Sequence, residues 1–261
     1  MKIRILGCSG GIGGRHLRTT SILVDNDIMI DCGTGVADLS IAELAQVDHI
    51  FLTHSHMDHI ACLPLLIDTV SEMRNRPLTL HVTPPVEEIL RTHIFNWAIW
   101  PDFTEIPKPE APCLRFASIA VGEAIDLHGR RIVPLPADHT VPAVGYQLDS
   151  GRASLVFSGD TGPCPALWQA VNAIGNLRTL IIETAFSNRE RKLAEESCHL
   201  CPSMLLEELR YLQSRPEIFI THLKPGQSEL TMQEIEDSIG EFRPRMLQNN
   251  QVFELSSVRL N

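Results

Sequence analysis

The sequence lacks an excess of basic residues: 22 Lys and Arg stand against 32 Asp and Glu, a formal net charge of −10 over 261 residues. A protein that grips a long stretch of RNA or DNA through its phosphates usually presents a basic face. The composition therefore argues against such a grip. It leaves open a small anionic substrate held by metal, because a bound cation brings its own positive charge to the site.

Long apolar runs are also missing, and none approaches the ~20 residues of a membrane helix. The first residues, "MKIRILGCSGG", have no apolar stretch behind their basic residues, so they predict a strand and turn and not a signal peptide. The seven cysteines are an odd number and lie in apolar segments such as "IDCGTG", which favours buried thiols in a reducing compartment. We predict a cytoplasmic protein with no membrane partner.

Two familiar frameworks are absent as well. Cys198 and Cys201 form one close cysteine pair, but a structural zinc site needs a second pair. The glycine-rich "GCSGGIGG" (7–14) has neither the G-x-G-x-x-G nor the G-x-x-x-x-G-K-[ST] spacing of nucleotide-binding loops. Because another strand-like run, "SILV", follows soon after, we interpret the segment as a tight turn between strands and not as a phosphate cradle.

No low-complexity linker or long charge run divides the chain, so we predict one domain over residues 1–261. Strand-like runs from "KIRIL" to "QVFEL" are interspersed with helical patterns. The helical patterns cover about 37–45, 60–70, 84–95, 163–174, 202–213 and 231–239. Many strands without strict strand–helix alternation predict an α+β protein with layered, mixed sheets.

The segment "IFLTHSHMDHI" (50–60) places three histidines and an aspartate behind an apolar run. At an extended strand end alternate side chains point to one side, so His54 and His56 can reach one ion. Asp58 and His59 follow as the chain turns into a helix, and they aim at a neighbouring point. One tetrahedral site fits these residues, but their spacing favours two adjacent ions. Burying the cluster without metal would leave several polar groups unpaired.

A two-ion site needs further ligands, and other strand ends supply candidates. "LVFSGD" ends an apolar run with Asp160 and "IFITH" ends another with His222, while His139 follows a third in "LPADHT". The carboxyl ends of adjacent strands are where mixed α/β architectures usually place their chemistry. Taken alone, each histidine is more often a hydrogen-bonded structural residue and Asp160 a turn residue. The dense cluster nearby favours a ligand role for all three.

Four motifs, "THSHMDH", "DHTVPAVGY", "FSGDTGP" and "THLKP" in this order, resemble the metallo-β-lactamase superfamily. With "HIFNWAIWPDF" (93–103) and "IIETAFSNRERKLAEESCHLCP" (181–202), they are similar to the class II cyclic-nucleotide phosphodiesterases. The resemblance implies an αββα four-layer sandwich of two mixed β-sheets with a two-metal site at one edge. It assigns one ion to His54, His56 and His139, the other to Asp58, His59 and His222, and the bridge between them to Asp160. Met57 and Cys62 depart from the family's usual leucine and small residue without removing a ligand.

The resemblance also implies an activity. This is hydrolysis of 3′,5′-cyclic nucleotides, cAMP or cGMP, to 5′-nucleoside monophosphates by a hydroxide that bridges two divalent metal ions. Zn²⁺ is the first expectation from the His/Asp ligand mix, with Mn²⁺ or Fe as alternatives.

The expected catalytic residues are Asp58, His199 as proton donor and Glu183 as the group that orients His199. A loop histidine and a surface acid are the structural alternatives. Lys224 is a candidate phosphate contact, although a solvated lysine fits equally well.

Other functions fit parts of the pattern. A tRNA 3′-processing endonuclease of the ribonuclease Z type has a similar ligand set, but the net charge and the lack of a long Gly/Pro-rich arm argue against it. Thioester or β-lactam hydrolysis stays open, because a two-ion site does not choose its substrate. A non-catalytic scaffold of the same fold would tolerate loss of ligands, whereas all seven ligand positions are filled here. The aromatic residues Trp97, Trp100 and Phe103 suit base stacking and apolar packing equally well. We expect a small cyclic nucleotide as partner and no nucleic acid, and the sequence leaves a homodimer open.

Overall fold

The computed structural model describes residues 1–14, 16–239 and 242–255, in which fourteen strands form two seven-stranded sheets. The strands are β1 Lys2–Gly7, β2 Ser21–Val24, β3 Ile28–Ile30, β4 His49–Phe51, β5 Leu78–Val82, β6 Leu114–Ser118, β7 Ile125–Leu127, β8 Arg130–Pro136, β9 Val144–Asp149, β10 Ser154–Phe157, β11 Leu177–Glu183, β12 Glu217–Thr221, β13 Arg245–Met246 and β14 Val252–Glu254. The helices are α1 Ile41–Leu44, α2 Met57–Ile60, α3 Leu63–Val70, α4 Pro84–His93, α5 Pro165–Asn172, α6 Arg191–Glu196, α7 Pro202–Leu209 and α8 Ser228–Ile239.

Both sheets are mixed, as the sequence predicts. The first has the order β14-β1-β2-β3-β4-β5-β6, and the second has the order β13-β12-β11-β10-β9-β8-β7. In the first sheet the strands from β3 to β6 are parallel and those from β14 to β3 antiparallel. In the second sheet the strands from β10 to β13 are parallel and those from β7 to β10 antiparallel.

The central strands are buried on both faces, which explains their near-continuous apolar runs. In β4, Phe51 packs with Ile181 of β11 between the two sheets, while Ile50 packs with Leu66 of α3 on the outer face. In the second sheet, Leu180 turns outward against residues of α5 and α7. Helices therefore cover the outer face of each sheet, and the predicted αββα four-layer arrangement is confirmed.

Several element boundaries differ from the sequence patterns. The pattern at 60–70 is two helices, α2 and α3, and the pattern at 37–45 contains a 3₁₀ turn at Thr34–Asp38 before the short α1. Helix α8 begins at Ser228 and not at Thr231. Strands β6, β7 and β13 carry no recognisable run, because they lie at or next to sheet edges with many half-exposed or exposed residues. Such strands lose the apolar signal that two-sided burial gives.

The glycine-rich segment connects β1 to β2, which are antiparallel neighbours, so its interpretation as a turn between strands is confirmed. All seven cysteines are free thiols. Among the described helices, none has both the length and the apolar character to cross a bilayer. A single domain over residues 1–261 stays a prediction.

Candidate metal centre

The carboxyl ends of strands from both sheets meet at one edge of the sandwich. In the first sheet β4 runs into "LTHSHM", so that His54 lies just past the strand and His56 is the residue immediately before α2. In the second sheet His139, Asp160 and His222 follow β8, β10 and β12. Parallel strands end at the same edge, which is how residues far apart in the sequence come together here.

Three histidines form the first group, which we call the histidine cluster: His54, His56 and His139. Their donor atoms all lie within 4.8 Å of one another. His139 Nδ1 donates to the Cys198 carbonyl at 3.0 Å, because a carbonyl oxygen only accepts. His139 Nε2 is therefore the nitrogen with the lone pair, and it lies 3.1 Å from His56 Nδ1.

Four residues form the second group, the mixed cluster: Asp58, His59, Asp160 and His222, again with donor atoms within 4.8 Å. Asp160 Oδ2 lies 3.3 Å from His59 Nε2, and Asp160 Oδ1 lies 3.2 Å from His222 Nδ1. Asp58 Oδ2 lies 3.7 Å from His222 Nε2 and 4.0 Å from His59 Nε2. Asp160 Oδ2 also lies 3.7 Å from His54 Nε2, so this carboxylate stands between the two clusters.

The side chains fit a metal better than they fit one another. His54 Nε2, His59 Nε2 and His222 Nδ1 are buried and have no hydrogen-bond partner. A buried polar atom without a partner is rare in a folded protein, because its lost hydration is not replaced. Imidazole nitrogens and carboxylate oxygens are the donors that zinc, manganese and iron take, so divalent ions are the partners that suit these atoms.

The lowered pKa values of four histidines also favour metal binding. Burial lowers the pKa of His54 well below its ordinary value and that of His222 to about 3. Burial also lowers the pKa of His56 and His139. These imidazoles are therefore neutral near pH 7, which is the form that binds a metal.

His59 is the exception. Burial works against its protonation, but the carboxylates of Asp160 and Asp31 raise the pKa of His59 well above its ordinary value. In turn, although burial disfavours a charged carboxylate, the imidazoles around Asp160 hold the pKa of Asp160 well below its usual range. The mixed cluster is thus a place where positive charge is favourable.

Asp31 is a site residue that our sequence reasoning missed. It lies at the end of β3, fully buried, and its Oδ2 is 2.7 Å from His59 Nδ1. The backbone and hydroxyl of Thr53 donate to the same carboxylate at 2.7 and 2.8 Å. Asp31 therefore fixes the ring of His59 and leaves Nε2 for the cluster, as carboxylates do behind metal-binding histidines. The signal was present: "DIMID" ends an apolar run with an acid, like "LVFSGD".

His199 and Glu183 form a buried dyad beside the clusters. His199 Nδ1 donates to Glu183 Oε1 at 2.7 Å, and Glu183 also accepts backbone N–H bonds from Thr161, Ala185 and Leu200. One donor atom of His199 lies within 4.8 Å of those of His139 and Asp160. Burial disfavours the charged ring, but the Glu183 carboxylate raises the pKa of His199 above its ordinary value.

Lys224 and the aromatic segment are the two remaining candidates for contact with a substrate. Lys224 Nζ donates to the Gly10 carbonyl at 3.0 Å and lies 3.5 Å from His222 Nε2, so it is at the site but tied to backbone. The buried part of the aromatic segment lies away from the site, whereas Trp97 is 62% exposed. Phe103 is buried in the outer core of the first sheet, and its carbonyl accepts from Leu114, at the starting end of β6. That end lies opposite the edge where the clusters form, since β6 runs parallel to β4 and β5.

The family model for the beta-lactamase superfamily domain matches residues 26–223, which is more than half of the chain and includes both clusters. The chain therefore belongs to this family, and the membership predicted from its motifs is confirmed. The fold and the paired His/Asp clusters define it as a hydrolase of the metallo-β-lactamase fold.

Individual relatives are more distant. The chain is 24% identical over 276 residues to a probable 3′,5′-cyclic-nucleotide phosphodiesterase of Yersinia pestis, covering 85% of this chain and 77% of the relative. It is 29% identical over 217 residues to a ribonuclease Z of Mycobacterium bovis BCG, covering 76% of each. The crystal structure of unliganded yeast PDE1 aligns with a TM-score of 0.78 at 18% identity, over 96% of this chain and 98% of that one. The structural likeness shows the fold alone.

Proposed function

We propose that this chain is a metal-dependent phosphodiesterase that hydrolyses 3′,5′-cyclic nucleotides to 5′-nucleoside monophosphates at a two-ion centre. The observation that carries the proposal is the pair of clusters that share Asp160, with the His199–Glu183 dyad beside them. Similarity to the Yersinia pestis phosphodiesterase supports the substrate class. The net charge of −10 suits a small ligand better than a long polyanion.

The two clusters would hold one divalent ion each. The histidine cluster would take the first, Asp58, His59 and His222 would take the second, and Asp160, which lies between the clusters, would be available to both. Zinc suits this ligand mix first, with manganese or iron as alternatives. Two such ions would neutralise the phosphodiester and lower the pKa of water towards neutrality. The protein's part is to fix the ligands, and Asp58 faces the opening, since its side chain is 29% exposed whereas Asp160 is buried.

His199 is the proton donor for the leaving oxygen in this proposal. Opening a 3′,5′-cyclic phosphate leaves an alkoxide on the sugar, which needs a proton as the P–O bond breaks. The His199–Glu183 bond holds the ring by Nδ1 and leaves Nε2 to donate. The raised pKa of His199 keeps that proton available near neutral pH. Lys224 lies close enough to His222 to contact a bound phosphate, after releasing the Gly10 carbonyl.

Replacing His199 tests this role. We expect His199→Ala to retain its metal ions and to lose turnover by ~10²-fold or more, the usual contribution of a general acid. The measurements are metal content and turnover of cAMP by the loaded protein. His93→Ala, at an exposed histidine of α4, is the matched control and should keep full activity. Near-normal turnover in His199→Ala would remove the residue from the mechanism.

The second candidate function is tRNA 3′ processing, favoured by the 29% identity to a ribonuclease Z. A long protruding arm for tRNA is not found among residues 1–14, 16–239 and 242–255. Their longest connection, 94–113, returns to the first sheet and buries Phe95 and Phe103 in its outer core. The net charge of −10 also disfavours binding of a long polyanion through its phosphates.

One substrate panel separates the candidates. Metal-loaded protein is assayed with cAMP, cGMP, a 2′,3′-cyclic nucleotide, bis-p-nitrophenyl phosphate, a thioester and a precursor tRNA. We expect turnover of the 3′,5′-cyclic nucleotides at the highest kcat/KM. Cleavage of precursor tRNA together with tight, salt-sensitive tRNA binding would favour the second candidate, and thioester turnover alone would reject both.

A further inference from the structure

The glycine turn, which we define as residues 8–11, lies directly against His222. The His222 N–H donates to the Cys8 carbonyl at 2.8 Å, and the Gly10 N–H donates to the Leu223 carbonyl at 3.0 Å. Ser9 and Leu223 form an isolated β-bridge. The turn follows β1 of the first sheet, whereas His222 follows β12 of the second. These bonds therefore join the two sheets beside the mixed cluster.

Gly10 occupies a position with no room for a side chain. A Cβ at Gly10 would lie 2.4 Å from the His222 carbonyl oxygen and 2.9 Å from Cδ2 of its ring, and contacts under 3.0 Å force something to move. Since the closer atom belongs to the backbone, rotation of a side chain cannot relieve the conflict. Any larger residue at this position would force the glycine turn and His222 apart.

His222 needs such support, because its backbone has φ of +62°, a region uncommon for residues other than glycine. Strained conformations of this kind persist only where the surroundings hold them. The glycine turn forms hydrogen bonds on both sides of this strained residue, to the N–H of His222 and to the carbonyl of Leu223. Lys224 adds a third bond by donating from its side chain to the Gly10 carbonyl.

We propose that the glycine turn is a positioning element for His222 and that its docking is coupled to the ion held by the mixed cluster. The proposal rests on the proposed two-ion site. When the turn is docked, the ring of His222 stands between Asp58 and Asp160, 3.7 and 3.2 Å from their oxygens. When the turn is displaced, the mixed cluster loses the correct position of His222. The histidine cluster is unaffected, because none of its three residues contacts His222 through the turn. Gly10 is thus a positioning residue and not a catalytic one.

Gly10→Ala is the first test. We expect it to bind the ion of the mixed cluster roughly 10- to 100-fold more weakly, the usual effect of disturbing a group that supports a metal ligand. The ion of the histidine cluster should bind with unchanged affinity. Two glycine variants are controls: Gly13→Ala, whose Cβ would meet only the flexible end of Leu17, and Gly175→Ala, whose Cβ meets nothing within 4 Å. Both should bind the two ions as the unchanged protein does.

Amide exchange of the unchanged protein is the second test, and it does not depend on the folding of a variant. Because coupling between two sites is reciprocal, filling the mixed cluster should slow amide exchange in the turn and at His222 by roughly 5- to 150-fold. Asp58→Asn, which removes a ligand of the mixed cluster, should abolish the slowing. His56→Gln, which removes one of the histidine cluster, should keep it.

The outcomes separate this inference from the function it rests on. Unchanged protein that binds no divalent ions would overturn both. Unchanged protein that binds two ions, with Gly10→Ala binding both at normal affinity or with no metal-dependent slowing at the turn, would overturn the positioning role alone. Selective loss of the mixed-cluster ion in Gly10→Ala, with the ion of the histidine cluster bound at normal affinity, would support it, because a general loss of folding would weaken both.

Discussion

Strands β3 and β4 have charged residues at both ends, but these residues pair with arginine at one end and with histidine at the other. At the starting end, Asp27 precedes β3 and pairs with Arg130 Nη2 at 2.8 Å, while Asp48 precedes β4 and pairs with Arg74 Nη2 at 2.6 Å. At the other end, Asp31 and the clustered residues contact histidines, and three imidazole nitrogens lack a hydrogen-bond partner. Both ends contain buried or half-buried carboxylates of the same chemical type.

The difference lies in the partner. Arginine is always charged and has only N–H donors, so an acid–arginine pair offers no nitrogen lone pair that could bind a metal ion. Histidine has one ring nitrogen that can be used for support and a second that keeps its lone pair. The His59–Asp31 and His199–Glu183 pairs use this property. An acid–arginine pair thus indicates structure, and an acid–histidine pair with an unpartnered nitrogen indicates a site.

Asp160→Asn should have the largest effect on metal binding and turnover, since Asp160 lies between the two clusters. The substitution keeps the volume of the side chain but removes its negative charge from beside His54, His59 and His222, so the site attracts cations less strongly. We expect loss of bound metal and a fall in turnover by more than ~10²-fold, beyond the effect of altering a supporting residue. Metal analysis and turnover of cAMP measure it. Full metal content in this variant would contradict the central position given to Asp160.

Asp31→Asn should have the next largest effect. The amide keeps the shape of the side chain but not the charge that holds His59, so we expect metal affinity to fall roughly 10- to 100-fold. Asp27→Asn, at the opposite end of the same strand, is the control and should leave metal affinity unchanged. Equal metal binding in the two variants would show that the two ends do not differ in the way described.

A third prediction concerns pH and lies away from the clusters. Burial, and then the neighbouring His49, lower the pKa of His81 to about 4, against 6.5 for a free side chain. Between these values the unfolded chain binds a proton that the folded chain does not, so the free energy of unfolding should fall as pH falls from about 6.5 to about 4.

Urea unfolding of metal-loaded protein at pH 7.5 and pH 5.0 measures this effect. His81→Gln should show a smaller loss of stability between the two pH values than the unchanged protein. The same pH dependence in both proteins would exclude His81 as its source.

Arg76→Ala should have the smallest effect. Arg76 is 69% exposed, and Asp48 keeps its bond to the buried Arg74 when Arg76 is removed. We expect a change in the free energy of unfolding below ~0.5 kcal/mol. Arg74→Ala should cost about 1.5–3 kcal/mol, because the bond to Asp48 is charged and largely shielded from water. Urea unfolding measures both, and a larger loss in Arg76→Ala would contradict this order.

The sequence predicted side chains that the structure brings together, because three of them stand at or shortly after the end of an apolar run. Burial on both faces gives such runs a strong signal, and His54, Asp160 and His222 stand directly after them. The αββα layers came from the family resemblance of the motifs. The supporting groups are harder to predict, because their roles depend on contacts across the sheets. Asp31 acts through a neighbouring strand, and Gly10 meets His222 more than 200 positions later in the chain.

Weakly patterned elements account for the rest of what was not predicted. Strand β6 has exposed residues at Arg115 and Ser118, so its alternation is too irregular to identify without its partner β5. The aromatic segment that follows α4 gave two equal interpretations from composition alone. The position of Phe103 at the far end of β6 shows that this residue packs in the core, and only the sheet topology supplies that information. Trp97 is 62% exposed, so both interpretations stay open for it.

Seven side chains from both sheets hold two metal ions in the function proposed here. Equilibrium dialysis of metal-stripped protein against Zn²⁺ or Mn²⁺, with elemental analysis of the retained metal, tests it most directly. We predict saturation at about two ions per chain. Saturation at none, or unsaturable binding that the ligand substitutions leave unchanged, would contradict it.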